Sequence, residues 1–155
     1  MGSWAKRLFG RETFSDIGIV VAGSNRKEFE LEIMGFFDKI VSSKDSIYHA
    51  YLAKKGNKYY PVVFNVYGAP SMVDVLTQMH DGGCKNIIFI GYAYGGFKNL
   101  KVGSIIIPEK SYHFEGLYHK FKLTKEFSLP DKKIKTILQK VLDKNKISYS
   151  TGINI

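Results

Sequence analysis

Two apolar runs, joined by one amphipathic helix and each ending in a glycine-bearing turn, constrain this chain more than any other feature. Tyr59-Tyr-Pro-Val-Val-Phe-Asn-Val66 is aromatic and β-branched, as a strand prefers, and runs into Tyr67-Gly-Ala-Pro-Ser71. From Ser71 to about Asp81 the apolar residues Met72, Val75, Leu76 and Met79 recur at helical spacing, and Pro70 suits a first turn. Gly82-Gly83 stops that helix. Asn86-Ile-Ile-Phe-Ile-Gly91 is a short, continuously apolar run, which predicts a strand buried on both faces. It opens into Tyr92-Ala-Tyr-Gly-Gly-Phe97, and after a polar link Val102-Gly-Ser-Ile-Ile-Ile-Pro108 predicts another buried strand. Two glycine-bearing turns at the carboxyl ends of two strands make a crevice. In open α/β sheets ligands bind there, because backbone N–H groups and helix N-termini converge on it. Such geometry predicts a small anionic or polar ligand and leaves its identity open.

The flanking sequence extends the pattern. Ile17-Gly-Ile-Val-Val-Ala22 is a buried strand, with Gly23-Ser-Asn-Arg26 as its turn and Ser24 or Asn25 as helix N-cap. The following helix is expected to reach about Phe37, with Phe29, Ile33, Phe36 and Phe37 inward. A strand, a glycine, an N-cap and a basic residue make a workable phosphate cradle, with N–H groups facing the anion and Arg26 adding a fork of donors; a plain strand-to-helix turn accounts for the same residues. Ser46 to Lys55 alternates loosely and ends at Gly56-Asn57, a hairpin signal leading into the strand at Tyr59. After Pro108 the strand continues through Tyr112 and Phe114, and Glu115 to Lys122 is a polar and aromatic excursion. Leu129-Pro-Asp131 starts a helix, with Pro130 in its first turn and Asp131 near the N-terminus. Its apolar face is Ile134, Ile137, Leu138, Val141 and Leu142, and Lys132, Lys133, Lys135, Lys140 and Lys144 cover the solvated side. Lys146 to Thr151 is a last strand. The expected fold class is α/β: a three-layer domain with a central mixed, mostly parallel sheet flanked by about three helices. Residues 1–15 read as an N-terminal arm, with a single docked helical turn around Trp4, Leu8 and Phe9 as the other option, and residues 16–155 read as one domain.

A chain of 155 residues with 45% hydrophobic and 14% aromatic content can bury a sizeable core and is not disordered. Its apolar runs are too short to span a bilayer, and Met1 to Gly10 lacks the apolar stretch of a secretory signal, so no membrane association is expected. One cysteine, Cys84, excludes an internal disulfide and fits a reducing, cytoplasmic setting. The net charge of +9 attracts nucleic acid, anionic lipid or phosphorylated ligands. The lysines are spread along the chain, which favours a generally solvated basic surface over a nucleic-acid site. The four histidines, His49, His80, His113 and His119, have no zinc spacing, and no nucleophile elbow, Walker loop or paired-carboxylate motif appears. Cys84, just before a buried strand, reads as a small apolar residue rather than a nucleophile.

Three ordered segments add a resemblance. Asn65-Val-Tyr-Gly-Ala-Pro-Ser71, Lys85-Asn-Ile-Ile-Phe-Ile-Gly91 and Leu100-Lys-Val-Gly-Ser-Ile-Ile-Ile-Pro108, in this order and spacing, together resemble the nucleoside phosphorylase/nucleosidase superfamily, which includes purine nucleoside and uridine phosphorylases. Asp16 to Arg26 is similar to that family's first strand and phosphate loop, and Ile147 to Gly152 to a late strand. The resemblance implies cleavage of an N-glycosidic bond, with phosphate as co-substrate in the phosphorylases and no other cofactor. It also implies contacts: Gly23 and Arg26 for phosphate, Asn65, Tyr67 and Gly68 for a sugar, and Tyr92, Ala93 and Tyr94 for a base. The departures matter equally. The family's phosphate-binding arginine falls on Phe89, the Ser/Thr after the next glycine falls on Tyr92, and a following loop glycine falls on Tyr94 unless the loop has slipped by one so that Gly95-Gly96 keeps the paired glycines. The arginine that some members lend to a neighbouring subunit falls near Lys44-Asp45, and the family's ribose-binding and acid-bearing segments have no counterpart before Ile155.

The chain is therefore expected to be a nucleoside phosphorylase-like domain with a nucleoside- or nucleobase-sized crevice, catalytically impaired or incomplete on its own. The alternatives are an active phosphorylase or nucleosidase completed by a partner chain, and a basic nucleic-acid-binding or structural domain. A homo-oligomer is expected, because a sheet edge or apolar face that longer relatives cover invites pairing.

Overall fold

The protein is described by a computed structural model that covers residues 3–23, 27–45, 47–93, 100–112 and 126–154. The chain forms two compact units, Met1–Ala93 and Tyr94–Ile155.

The first unit opens with helix α1, Trp4–Phe9, which Ser3 caps by accepting from the Lys6 amide at 3.2 Å and which Gly10 closes at φ 75°. Ala5, Leu8 and Phe9 are buried, so the segment expected as an arm packs into the body of the unit. Next come β1 (Ile17–Ala22), α2 (Lys27–Met34), β2 (Lys39–Asp45), β3 (His49–Lys55), β4 (Lys58–Val66), α3 (Gly68–Asp81) and β5 (Asn86–Ile90). Their sheet has the order β2-β3-β4-β1-β5. β1 pairs in parallel with both β4 and β5, while β2, β3 and β4 are joined antiparallel, so the sheet is mixed as its sequence predicts.

The two-residue period of the strands separates the core into two faces. Val20 and Val63 pack with Leu8 and Phe9 of α1 and with Val75 and Met79 of α3. Val21, Val62 and Phe64 pack on the opposite face with Met34 of α2. Three layers result, α1 and α3 on one side of the sheet and α2 on the other. Each fully buried apolar side chain of this size contributes on the order of 1.5–3 kcal/mol.

Several sequence expectations need correction. Helix α2 ends at Met34, and Phe36 is exposed while Phe29, Ile33 and Phe37 pack as expected. β5 is not buried on both faces: it is the last strand in the sheet order, and Phe89 is 58% exposed. Continuous apolarity does not distinguish a central strand from an edge strand. β2, with six of its seven residues exposed, carries no alternation to find it by. Helix α3 starts at Gly68, three residues earlier than the periodicity suggests.

The second unit holds a three-stranded sheet in the order β7-β6-β8, with β6 (Ile105–Tyr112) antiparallel to β7 (Phe127–Ser128) and parallel to β8 (Tyr149–Asn154). Helix α4, Lys132–Lys144, starts at Asp131, whose carboxylate accepts from the Ile134 amide at 2.9 Å, so Pro130 precedes the helix instead of lying in its first turn. Val102 lies outside β6 and only Ile107 of the apolar run Ile105 to Ile107 is buried, which corrects the expected buried strand. The last strand starts at Tyr149, because Lys146 adopts φ 57° and ends the preceding segment. No residue of α4 is buried, and Ile137 and Val141 of its expected inner face are about half exposed.

Between α1 and β1 the chain is tied across the end of α3. The Phe14 amide donates to the Gly82 carbonyl at 3.0 Å, and a Cβ built on Gly82 would lie 2.0 Å from the Phe14 ring. Phe14 also meets Phe9 edge to face, with centroids 5.2 Å apart. Gly82→Ala should therefore displace Phe14 and cost roughly 1–3 kcal/mol, the usual range for overpacking. Thermal melts of Gly82→Ala, Phe14→Leu and the double variant check this. The double variant should lose less stability than the sum of the singles, and strict additivity would contradict the contact.

Candidate functional site

Because β1 lies between β4 and β5 and runs parallel to both, three strands finish at the same edge of the sheet. Their following residues are Gly23, Tyr67 and Gly91-Tyr92. Gly23 sits at φ 72°, and a Cβ built there would lie 3.9 Å from Cδ2 of Tyr92 and 4.0 Å from Cε1 of Tyr67. The turns behind Ala22, Val66 and Ile90 thus share one neighbourhood. Tyr67 is 52% exposed and Tyr92 68% exposed, so the two rings flank the glycine without being packed into the core. Tyr92 also approaches Phe29 of α2, with ring centroids 6.2 Å apart. Gly91 packs against the Phe89 ring, which lies 3.1 Å from the place a Cβ would occupy.

Two backbone features sharpen the site. Helix α3 begins at Gly68, φ 74°, with Tyr67 at its N-cap; no side chain caps it and no acidic residue lies in its first turn. Its first amides, at the positive end of the helix dipole, suit an anionic or polar acceptor. Asn65 adopts φ 65°, in the left-handed region that few residues other than glycine and asparagine visit. The cause is a bulge: Val20 pairs with Val63 and Ala22 with Val66, so two steps along β1 face three along β4. The bulge keeps Val66 on the same face as Val63 and places Asn65 beside the strand end. Among the described residues the Asn65 Oδ1 is the buried side-chain polar atom without a hydrogen-bond partner. Leaving such an atom unpaired costs about 1–3 kcal/mol. Unpaired polarity joined to an uncommon backbone conformation is the pattern of a ligand-contacting residue.

A polar cluster that the sequence did not reveal anchors α2. Glu30, buried at 5% exposure, receives the Tyr51 hydroxyl at 3.1 Å and lies 2.7 Å from Nδ1 of His49, whose Nε2 is 3.1 Å from Asp45. Burial, and then the Glu30 charge, push the Tyr51 phenol above its ordinary value. These groups come from α2, β2 and β3, and no local motif links them. Tyr48 similarly donates to Asp74 of α3 at 3.2 Å and is raised mainly by burial.

The structure thus brings together Gly23, Asn65, Tyr67, Gly68 and Tyr92, with Ala93 following Tyr92. Arg26, Tyr94, His113 and His119 lie outside the described residues. Cys84 is buried, its Sγ donates to the Ser15 carbonyl at 3.2 Å, and desolvation, with a smaller contribution from the Asp16 charge, pushes its thiol up to about 12. It is a packing residue beside Gly18, as its sequence context suggests. Among the described residues no group of three or more His, Cys, Asp or Glu side chains could hold a metal ion, and no helix is long and apolar enough to cross a membrane.

A family model described as the phosphorylase superfamily matches residues 16–155. No curated protein matches the sequence. Among solved structures, purine nucleoside phosphorylase from Toxoplasma gondii, in complex with immucillin-H, superposes with a TM-score of 0.78 at 18% identity, over 92% of this chain and 57% of that one. Uridine phosphorylase from Vibrio fischeri ES114 superposes with a TM-score of 0.78 at 16% identity, over 90% of this chain and 58% of that one. The P. knowlesi homologue of P. falciparum PNP gives 0.73 at 16% identity, over 90% of this chain and 56% of that one. At these identities the likeness is one of fold, and this chain spans less than three fifths of each of those structures.

Two outcomes follow from the geometry. Asn65→Gly relieves the left-handed backbone and deletes the unpaired oxygen, so its melting temperature should equal or exceed that of the parent. A drop of several degrees would show that the side chain is structural. Cys84 should stay unmodified by a thiol reagent at pH 8 until denaturant is added; rapid native labelling would contradict its burial.

Proposed function

Because the chain belongs to the phosphorylase superfamily, we propose that the crevice at the ends of β1, β4 and β5 binds a nucleoside or nucleobase. The observation that carries this is the approach of Tyr67 and Tyr92 to Gly23, within about 4 Å of where a Cβ would sit. A side chain at Gly23 would narrow the space between the two rings, and glycine keeps it open. Exposed aromatic faces suit a planar base, since base–aromatic stacking contributes about 1–3 kcal/mol. Asn65 supplies an amide oxygen without a protein partner, suited to a sugar hydroxyl, and the Tyr67-Gly68 start of α3 supplies backbone donors. Gly23 and Arg26 are the proposed contacts for phosphate, and Ala93 and Tyr94 complete the proposed base pocket.

We further propose that phosphate-dependent cleavage is weak or absent in this chain alone. By the sequence resemblance, Phe89 falls where the family's phosphate-binding arginine stands. Each charge-assisted hydrogen bond lost to such a change contributes on the order of 1.5–3 kcal/mol. Stacking on Tyr92 and hydrogen bonding to Asn65 do not depend on that arginine, so base or nucleoside binding survives its loss.

Thermal-shift and calorimetric titrations of nucleosides and nucleobases, with and without phosphate, test both statements. A nucleoside or nucleobase should raise the melting temperature with little added effect of phosphate, and Tyr92→Ala should weaken binding about tenfold or more. If no ligand shifts the melt, or Tyr92→Ala binds as the parent does, the binding proposal fails. Release of free base from inosine, adenosine or uridine in the presence of phosphate would instead establish an active phosphorylase.

A further inference from the structure

The first unit carries a second concave surface, formed where the segment before β1 crosses the start of β4. Its lining includes Arg11, Thr13, Asp16, Asn57, Lys58 and Tyr59. It lies beside Asp16 and Lys58, which precede and begin β1 and β4, whereas the nucleoside crevice lies at those strands' carboxyl ends.

The groove is held rigidly. The Ser15 amide donates to the Tyr59 carbonyl at 2.7 Å, which ties the crossing segment to β4, and the Ser15 hydroxyl donates to the Ile17 carbonyl at the start of β1 at 2.7 Å. The Arg11 guanidinium lies 4.1 Å above the Tyr59 ring, and its Nε donates to the Thr13 carbonyl at 2.7 Å. The ring contact and the Nε bond restrain the fork, and among the described residues its terminal nitrogens have no hydrogen-bond partner. Lys54 approaches the same ring at 5.9 Å, and Lys58 lines the groove. Among the described residues none of these three cations has a carboxylate at ion-pair distance, whereas nearby Lys6 and Lys55 pair with Glu12 and Asp38. Asp16 is the only acid in the lining, and the Asn57 amide and Thr13 hydroxyl add neutral donors.

We propose that this groove is a second ligand site, which takes a phosphate-type oxyanion, free or as the terminal group of a nucleotide. The Arg11 fork matches two oxygens of such a group, Lys58 and Lys54 balance its charge, and Asn57 and Thr13 complete the donors. A guanidinium stacked on a tyrosine also presents its outer face to a base, so a nucleotide gains over the free anion.

Amide-resolved NMR titration with orthophosphate, and separately with AMP, at constant ionic strength set by chloride, locates the site directly. Saturating shifts are expected at Thr13 to Asp16 and Asn57 to Tyr59, with AMP binding at least as tightly as phosphate. Arg11→Gln and Lys58→Gln should each weaken this response at least tenfold while the Gly23, Gly68 and Tyr92 amides respond as in the parent. An absence of saturation at the groove below 10 mM of either ligand, or shifts confined to Gly23, Gly68 and Tyr92, would overturn the proposal. An unchanged response in both variants would do so equally.

Discussion

Parallel pairing of Ile17–Ala22 with Lys58–Val66 on one side and Asn86–Ile90 on the other decides where this chain presents its turns. Parallel strands end at the same edge, and the residues that follow them must leave the sheet there. Three such exits bring Gly23, Tyr67 and Tyr92 into one neighbourhood although they are separated by dozens of residues in sequence. The hydrogen bonds that create this arrangement are held in place by valines that face alternately toward α1 and α3 and toward α2. The edge where these turns meet thus rests on an interdigitated core, which resists relaxation when a side chain changes.

The same pairing creates the strained point of the unit. A regular strand would have turned Val66 away from the α3 face, and the extra residue in β4 restores it by placing Asn65 in the left-handed region. Burying the end of β4 and leaving the Asn65 oxygen without a protein partner are two results of one bulge. The cost is modest, because asparagine tolerates this conformation better than most residues. Glu30, His49, Tyr51 and Asp45 oppose any compensating drift of α2 by connecting it to β2 and β3. That connection matters because α2 carries Phe29, which approaches Tyr92.

Charge is distributed by the same architecture. At the strand ends the described side chains are mainly neutral and aromatic, suited to a base, with backbone amides as the polar donors. Where the crossing segment meets β4, Arg11 and Lys54 approach the Tyr59 ring, and Lys58 lines the same groove with Asp16 as the acid of its lining. Part of the excess positive charge thus collects around one concave surface.

Residue pattern alone determined the local elements and the class of fold. Val and Ile runs specify β1, β4 and β5, the spacing of Met72, Val75, Leu76 and Met79 specifies α3, and Gly56-Asn57 specifies the hairpin between β3 and β4. The glycine turns after β1 and β4 were legible, because backbone geometry at a strand-to-helix turn is a local property. Only the tertiary structure decided that β5 is the last strand of its sheet, that β2 adds a largely exposed strand, and that Phe14 closes on Gly82. It also decided that Asn65 holds an unpaired oxygen and that Glu30 meets His49. Burial, register and the partners of polar atoms depend on residues distant in sequence. No spacing along the chain encodes them until the sheet has set which strands are neighbours.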